Sequence, residues 1–139
     1  ISSLRFLSEI FTLSITEAIK SVLDKDGIFV FEVSYFLRVY ENVLFDTMYH
    51  EHLSYHTVTP LTLFFEALGL HLFHVEEVNT HGGSIRCFVQ HKGGPNKVFD
   101  SVNTFCNLEK HYRFDNVNTF LDFDKKINKE KINLLNNFN

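Results

Sequence analysis

The chain has 139 residues, of which 45% are hydrophobic, and this is enough for one globular domain with a hydrophobic core. Its formal net charge of −4, without a basic stripe, argues against a nucleic-acid-binding protein. No apolar run approaches the roughly 18 residues that span a membrane, and no signal peptide is visible. The two cysteines, Cys87 and Cys106, lack the paired spacing of a disulfide framework or a cysteine zinc site, so we expect a reduced, cytoplasmic compartment.

Both ends of the sequence indicate a piece of a longer protein. The chain opens at Ile1 without an initiator methionine and shows a helix-like apolar spacing within a few residues. It closes on an amphipathic pattern, residues 133–139, that contains no helix stop signal. We therefore expect further elements of the same protein on either side of this chain.

The first predicted elements are a helix, a turn and a buried strand. Ile15, Ile19 and Val22 recur at helical spacing, and residues 24–27 supply a stop and a turn that ends in glycine. Residues 28–33 form a nearly continuous apolar run, which is typical of a strand buried on both faces of a parallel sheet. Together these elements indicate half of a βαβ unit, and residues 34–44 leave the sheet as a helical or irregular excursion.

A helix and two strands follow. Thr59 is predicted to cap the helix with Pro60 at its first position, and Gly69 to end it in a left-handed conformation. Residues 70–78 and 84–91 indicate two strands joined by a short loop. The predicted fold class is therefore α/β, with a mostly parallel sheet closed by an antiparallel hairpin.

The stretch Lys92-Gly93-Gly94-Pro95 is the clearest boundary in the sequence. It divides the chain into an α/β part, residues 1–92, and a helical connector, residues 93–139. The last helix of the connector is predicted from about residue 115 to residue 138. Its predicted inward residues are Val117, Phe120, Leu121, Ile127 and Leu134.

The consecutive residues Tyr49-His50-Glu51-His52 are the strongest candidates for chemistry, because no helix or strand needs such a cluster for its own stability. A carboxylate beside a histidine fixes the imidazole tautomer and raises its basicity, which is the usual support of a general base. In an extended backbone the two histidines share one side, whereas a turn would let all four side chains converge. The spacing leaves open which histidine faces a pocket, and a histidine-rich surface loop is the alternative.

The same segment supports two hypotheses from other classes. His50, His52 and His56 could supply three imidazoles to a zinc-dependent hydrolase, with a fourth position open for water. Nearby acidic ligands for such a site are limited to Asp46 and Glu51. The other hypothesis is a non-catalytic interaction module, which would tolerate the loss of every group in the cluster.

The loop His81-Gly82-Gly83-Ser84-Ile85-Arg86 is the second candidate site. Paired glycines let backbone amides approach a ligand closely, and successive N–H groups can hold an anion. The Arg86 guanidinium adds a planar donor for phosphate or carboxylate. The alternative is a tight hairpin turn with Arg86 paired to a surface acid.

Two common catalytic motifs are absent from the sequence. The six glycines lie at positions 27, 69, 82, 83, 93 and 94, so the chain contains no Gly-x-Gly-x-x-Gly nucleotide loop. It also contains no Gly-x-Ser-x-Gly nucleophile elbow. A nucleotide-dependent enzyme complete in itself should contain such a loop.

Three segments, in this order and spacing, resemble one family: residues 27–33 (Gly-Ile-Phe-Val-Phe-Glu-Val), residues 45–55 around Tyr49-His50-Glu51-His52, and His81-Gly82-Gly83-Ser84-Ile85-Arg86. The family is that of the S-adenosylmethionine-dependent sugar C-methyltransferases, which act on nucleotide-linked 4-keto-deoxysugars in antibiotic and surface-glycan biosynthesis. The resemblance covers about residues 13–92 well and the last helices loosely. It implies the second half of a Rossmann-like class I methyltransferase domain, in a protein that also has an N-terminal zinc-binding domain and a C-terminal domain outside this chain.

The resemblance also implies roles for the candidate residues. His52 is the general base that removes the proton beside the keto group, and the resulting enolate attacks the methyl group of S-adenosylmethionine. Tyr49 and Glu51 position the base and the keto sugar. We assign His81, Gly82, Gly83, Ser84 and Arg86 to the sugar site. The main cofactor loop lies outside this chain, so we expect the chain to be inactive alone and to self-associate through an open sheet edge.

One position departs from the family pattern. The family usually carries an active-site histidine in the stretch before the first helix, near positions 8 and 9 of this chain, where Ser8-Glu9 stands instead. The whole of residues 1–11 fits the family pattern poorly.

Overall fold

The computed structural model describes residues 13–45 and 54–138. Helix α1 is described over residues 13–22. The elements that follow are β1 (Phe29–Ser34), α2 (Phe36–Asn42), α3 (Val58–Ala67), β2 (Leu70–Val78), β3 (Ser84–His91), α4 (Asp100–Tyr112) and α5 (Val117–Asn137). These elements confirm the predicted mixture of helices and strands. Across the two described ranges, no helix is long and apolar enough to cross a membrane.

The three strands form one sheet in the order β1-β3-β2, and β3 is antiparallel to both of its neighbours. The predicted β2–β3 hairpin is confirmed. The prediction of a mostly parallel sheet is not confirmed, because the described strands contain no parallel hydrogen-bonded pair, although β1 and β2 run in the same direction on either side of β3. The apolar run that suggested it alternates in burial: Val30 is 46% exposed, whereas Phe29 and Phe31 pack against the core.

The core lies on one face of this sheet. Its members come from the sheet, from α2 and from the faces of α3 and α4: Leu37, Val58, Leu61, Phe65, Leu70, Leu72, Val75, Ile85, Cys87, Val89 and Val102. Burial raises the pKa of the Cys87 thiol to about 12, so this cysteine is a small apolar core residue without nucleophilic character. Because α4 contributes Val102 to this core, it packs with the strands, while the division of the chain at residue 93 stays a prediction.

Helix α3 begins earlier than the sequence suggested. Its N-cap is Thr57, whose side chain makes no capping hydrogen bond, and Pro60 is the third residue of the helix. Gly69 follows the helix with φ of +72°, as predicted. The first turn of α3 therefore leaves backbone N–H groups that must be satisfied from elsewhere in the fold.

Helix α5 contacts the rest of the chain near its start. Phe123 is buried, and the ring of Phe120 stacks on Phe36 of α2. The inward face predicted for α5 is wrong at Val117, Leu121 and Leu134, which are 68%, 54% and 49% exposed. The residue spacing predicted a helix here correctly, but few other residues of the described structure pack against it.

Candidate functional site

Residues 36–56, here called the excursion, begin just after β1 and end beside the point where they began. Tyr35, which follows β1, forms a parallel bridge with His56. The Phe36 N–H donates to the His56 carbonyl oxygen at 3.0 Å. Both ends of the excursion therefore lie side by side at the carboxyl end of β1. The cluster Tyr49-His50-Glu51-His52 belongs to the excursion, but it lies outside the described residues, as does the Ser8-Glu9 position.

The predicted zinc ligands lie mostly in the same segment. Of His50, His52 and His56, the structure describes His56, which is partly buried, and burial lowers its pKa. Among residues 13–45 and 54–138, no group of three histidine, cysteine or acidic side chains could hold a metal ion. A zinc site would therefore depend on histidines that the structure does not describe.

Gly82 and Gly83 form a tight turn that packs against the excursion. Their φ angles are +82° and +127°. A Cβ atom on Gly82 would lie 2.6 Å from Leu44 Cδ1, and one on Gly83 would lie 2.6 Å from Arg38 Cγ. The Gly83 carbonyl accepts a hydrogen bond from the Tyr35 N–H at 3.2 Å. These glycines are thus needed for close approach of the turn to α2 and to the end of β1.

The polar groups of this loop satisfy one another within the protein. The Gly83 N–H donates to the Thr80 carbonyl at 2.9 Å, and the buried Ser84 hydroxyl donates to the same oxygen at 3.2 Å. His81 is exposed. These are the contacts of a hairpin turn, the alternative to an anion-binding nest.

Arg86 lies on a row of charges that crosses the three strands. Its guanidinium is 3.2 Å from Glu32 on β1 and 3.8 Å from Glu76 on β2. A hydrogen bond from the Thr80 hydroxyl, with Arg86 as a further partner, lowers the pKa of Glu32. Arg86 is therefore paired to surface acids, which was the alternative weighed for it.

A cavity of about 530 Å³ opens beside the glycine turn. Its lining residues are Arg38, Glu41, Asn42, Glu77, Val78, Asn79, Gly82 and Gly83. Arg38 binds Glu77 through two hydrogen bonds of 2.5 and 2.8 Å, and it also binds Glu41. Its hydrogen bonds lower the pKa of Glu77, so this carboxylate is held ionised. The polar side chains of this cavity come from α2, from the end of β2 and from Asn79, which follows β2, and no sequence motif marked them.

A second unmarked residue, Glu109 of α4, is 4% exposed. Its carboxylate accepts hydrogen bonds from the Tyr35 hydroxyl at 3.1 Å, the Val58 N–H at 2.5 Å and the Thr59 N–H at 2.8 Å. Burial first, and then the nearby Glu109 carboxylate, raises the pKa of Tyr35, which keeps the phenol protonated. Glu109 thus supplies from another helix the cap that α3 lacks. In the sequence, this role could have been recognised from a charged residue at a position on the inner face of α4.

Aromatic rings join the excursion to the C-terminal helices. The Phe36 ring contacts Tyr55 within the excursion, and it also contacts Phe114 and Phe123. The Tyr112 hydroxyl donates a hydrogen bond to Glu41 of α2. The phenylalanines of this region therefore pack against one another and fix α2 against the α4–α5 turn.

Two comparisons with known proteins bear on this arrangement. A family model described as the C-methyltransferase C-terminal domain matches residues 79–139, a range that includes the glycine turn and both C-terminal helices. A C-methyltransferase of Streptomyces niveus, NovU, is 34% identical over 88 residues. That alignment covers 63% of this chain and 21% of the length of the relative.

The close approach at Gly83 gives a stability prediction. Replacing Gly83 by alanine forces a Cβ atom to within 2.6 Å of Arg38 Cγ and 2.8 Å of Arg38 Cβ. We expect Gly83→Ala to lower the free energy of unfolding by about 3 kcal/mol in urea denaturation, through backbone strain and overpacking together. The control is Gly93→Ala, with φ of +83° and no atom within 4 Å of the new Cβ, which should lose only about 1 kcal/mol. Equal losses in the two variants would contradict the packing argument.

The partly buried imidazole of His56 gives a prediction on pH. Because burial lowers its pKa, the unfolded state takes up the proton more readily than the folded state. The stability that neutral His56 contributes is present above the unfolded pKa of about 6.5 and is lost as the pH falls through the folded pKa. Between about pH 7.5 and about pH 5.5, wild type should lose more unfolding free energy than His56→Gln. His111→Gln, at an exposed histidine of α4, should behave as wild type. Identical pH profiles for wild type and His56→Gln would show that the prediction is wrong.

Proposed function

We propose that the protein carrying this chain methylates a carbon of a nucleotide-linked 4-keto-deoxysugar, and the two matches to C-methyltransferases support this proposal. One structural observation supports this most directly: the glycine turn packs closely against the first part of the excursion. The excursion that carries Tyr49-His50-Glu51-His52 packs against the Gly82-Gly83 turn through Leu44 and Arg38. The Tyr49-His50-Glu51-His52 motif, which lies outside the described residues, begins five positions after Leu44 in the sequence.

In the proposed reaction, His52 is the general base. Its neutral imidazole takes the proton from the sugar carbon beside the keto group, and the electron pair left behind is delocalised onto the keto oxygen as an enolate. Glu51 holds the imidazole and Tyr49 stabilises the oxygen that becomes negative. S-adenosylmethionine supplies the methyl group. This chain has no Gly-x-Gly loop, so its residues do not fit a complete cofactor site, and we assign them no cofactor contact.

The cavity beside the glycine turn supports a sugar as substrate. Asn42 and Asn79 line this cavity, and an amide group can both donate and accept hydrogen bonds with sugar hydroxyls, whereas Arg38 and Glu41 are already bound by Glu77, Tyr112 and each other. Gly82 and Gly83 line this cavity, and Ser84 stabilises the turn that forms its wall. Among the residues assigned to the sugar site, Arg86 is the least supported, because Glu32 and Glu76 already bind it.

The other functional hypotheses have weaker support. A zinc-dependent hydrolase through His50, His52 and His56 would retain stoichiometric metal after purification, which elemental analysis measures. A non-catalytic interaction module would keep its function when the whole cluster is replaced. The matches do not favour either, since both are to C-methyltransferases. The zinc-binding domain of the full-length protein and the cytoplasmic location stay predictions.

The role of His52 is tested in the full-length protein. We expect His52→Gln to lower kcat by at least about 100-fold, because a general base contributes 10²- to 10⁴-fold to a rate. Affinity for S-adenosylmethionine, measured by calorimetry, should stay unchanged. His111→Gln removes an exposed histidine of α4 and serves as the matched control, with wild-type turnover. Normal turnover by His52→Gln would rule out its role as the base.

The 139-residue chain by itself should neither bind S-adenosylmethionine in calorimetry nor transfer its methyl group. It lacks the glycine-rich loop, and β1 is at an edge of the described sheet. In the full-length protein we place the remaining, parallel strands along this edge. In isolation the exposed edge should promote association between copies. Methyl transfer by the purified chain, or a monodisperse monomer in light scattering, would contradict this account.

A further inference from the structure

Glu109 contacts the chain at both ends of the excursion. It binds the hydroxyl of Tyr35, the residue immediately before the excursion, and the backbone amides of Val58 and Thr59, which begin α3 just after it. We infer that Glu109 is a positioning residue, which fixes the two ends of residues 36–56, the stretch whose sequence contains the Tyr49–His52 cluster. The catalytic consequence of this inference rests on the proposed function.

The electrostatics of Glu109 favour this role. A carboxylate that is 4% exposed loses most of its hydration, and this cost must be offset by hydrogen bonds to its oxygens. Three donors meet it, and two of them are N–H groups in the first turn of α3, where the helix dipole favours negative charge. The Thr57 side chain makes no capping hydrogen bond, so the carboxylate satisfies amides that α3 does not satisfy itself.

Glu109 lies outside the excursion, so its effect on position can be tested separately from that of Arg38 and Glu41, which lie within it. Arg38 and Glu41 also fix α2, through Glu77 and Tyr112, but these two residues line the proposed sugar cavity. Replacing them would disturb substrate contacts as well as position. Glu109 lies on α4 and reaches the excursion through Tyr35, so its replacement leaves every residue of the sugar cavity and of the cluster intact.

Position matters here because a general base must meet its proton within hydrogen-bond reach. A displacement of about 1 Å can cost about 100-fold in rate without loss of substrate binding. Loss of the carboxylate should therefore affect kcat more than KM, whereas general destabilisation of a still-folded protein leaves both unchanged.

The test compares Glu109→Gln with Glu130→Gln, the same change at an exposed carboxylate of α5. In Glu109→Gln, an NH2 group replaces one of the two carboxylate oxygens. This group is itself a donor, so it cannot accept the hydrogen bonds that the replaced oxygen accepts now. We expect hydrogen exchange of residues 54–60 to become about tenfold faster or more, while Glu130→Gln stays as wild type. This measurement needs no activity. Unchanged exchange in a folded Glu109→Gln variant would overturn the inference.

Kinetics of the full-length protein give the second readout, at a temperature where circular dichroism shows each variant folded. Glu109→Gln should lower kcat by about tenfold or more, with KM for the keto sugar within about twofold of wild type. If Glu109→Gln does not fold, Tyr35→Phe replaces it, because this change removes one donor and leaves both amide hydrogen bonds. Tyr35→Phe should show the same kcat-selective loss to a smaller degree.

The two proposals fail in different ways. A wild-type protein without methyl transfer would refute the proposed function, and the exchange comparison would still decide whether Glu109 holds the excursion. Conversely, an active protein in which exchange and kcat are unchanged by the loss of this carboxylate would refute the inference alone.

Discussion

The buried carboxylate of Glu109 is the constraint on which the arrangement of this chain depends. An ionised group at this depth is stable only while its donors are in place, and here the donors come from the residue after β1 and from the first turn of α3. The carboxylate itself belongs to α4. Three parts of the chain must therefore assemble together, because the absence of any one leaves either a buried charge or unsatisfied amides. This requirement fixes where the excursion begins and ends.

The glycine turn is the second constraint, and it acts through shape. The turn can approach α2 only because positions 82 and 83 lack Cβ atoms. The approach lets the Gly83 carbonyl accept a hydrogen bond from the Tyr35 N–H, next to the phenol that binds Glu109. Tyr35 is thus bound at its backbone by one constraint and at its side chain by the other. The hydrogen bond to the Glu109 carboxylate and the close packing of the glycine turn therefore both act on Tyr35, which is completely buried.

The sequence correctly predicted the elements that depend on local residue spacing. The α3 helix with its terminal Gly69 and the β2–β3 hairpin are set by residue spacing and by glycine, and the structure confirms both. The prediction of a mostly parallel sheet was not confirmed. An apolar run such as residues 28–33 indicates a strand but does not specify the direction of the strand beside it. Glu109 and Arg38 were missed because their partners lie 74 and 39 positions away, and no short motif records such a pairing. Candidate chemistry was visible in Tyr49-His50-Glu51-His52 because that cluster is contiguous.

The C-terminal helices pack against the described ends of the excursion, and these helices lie in the range that the family model matches. The matched range, residues 79–139, contains none of the excursion. It does contain Glu109, which binds both ends of the excursion, and Tyr112, which binds Glu41 in its first helix. The matched range also supplies Phe114 and Phe123, whose rings pack on Phe36. Because these contacts are buried or part-buried, the C-terminal helices and the described ends of the excursion form one packed unit. The matched range therefore contains the residues that hold the described ends of the excursion, although the excursion itself lies outside that range.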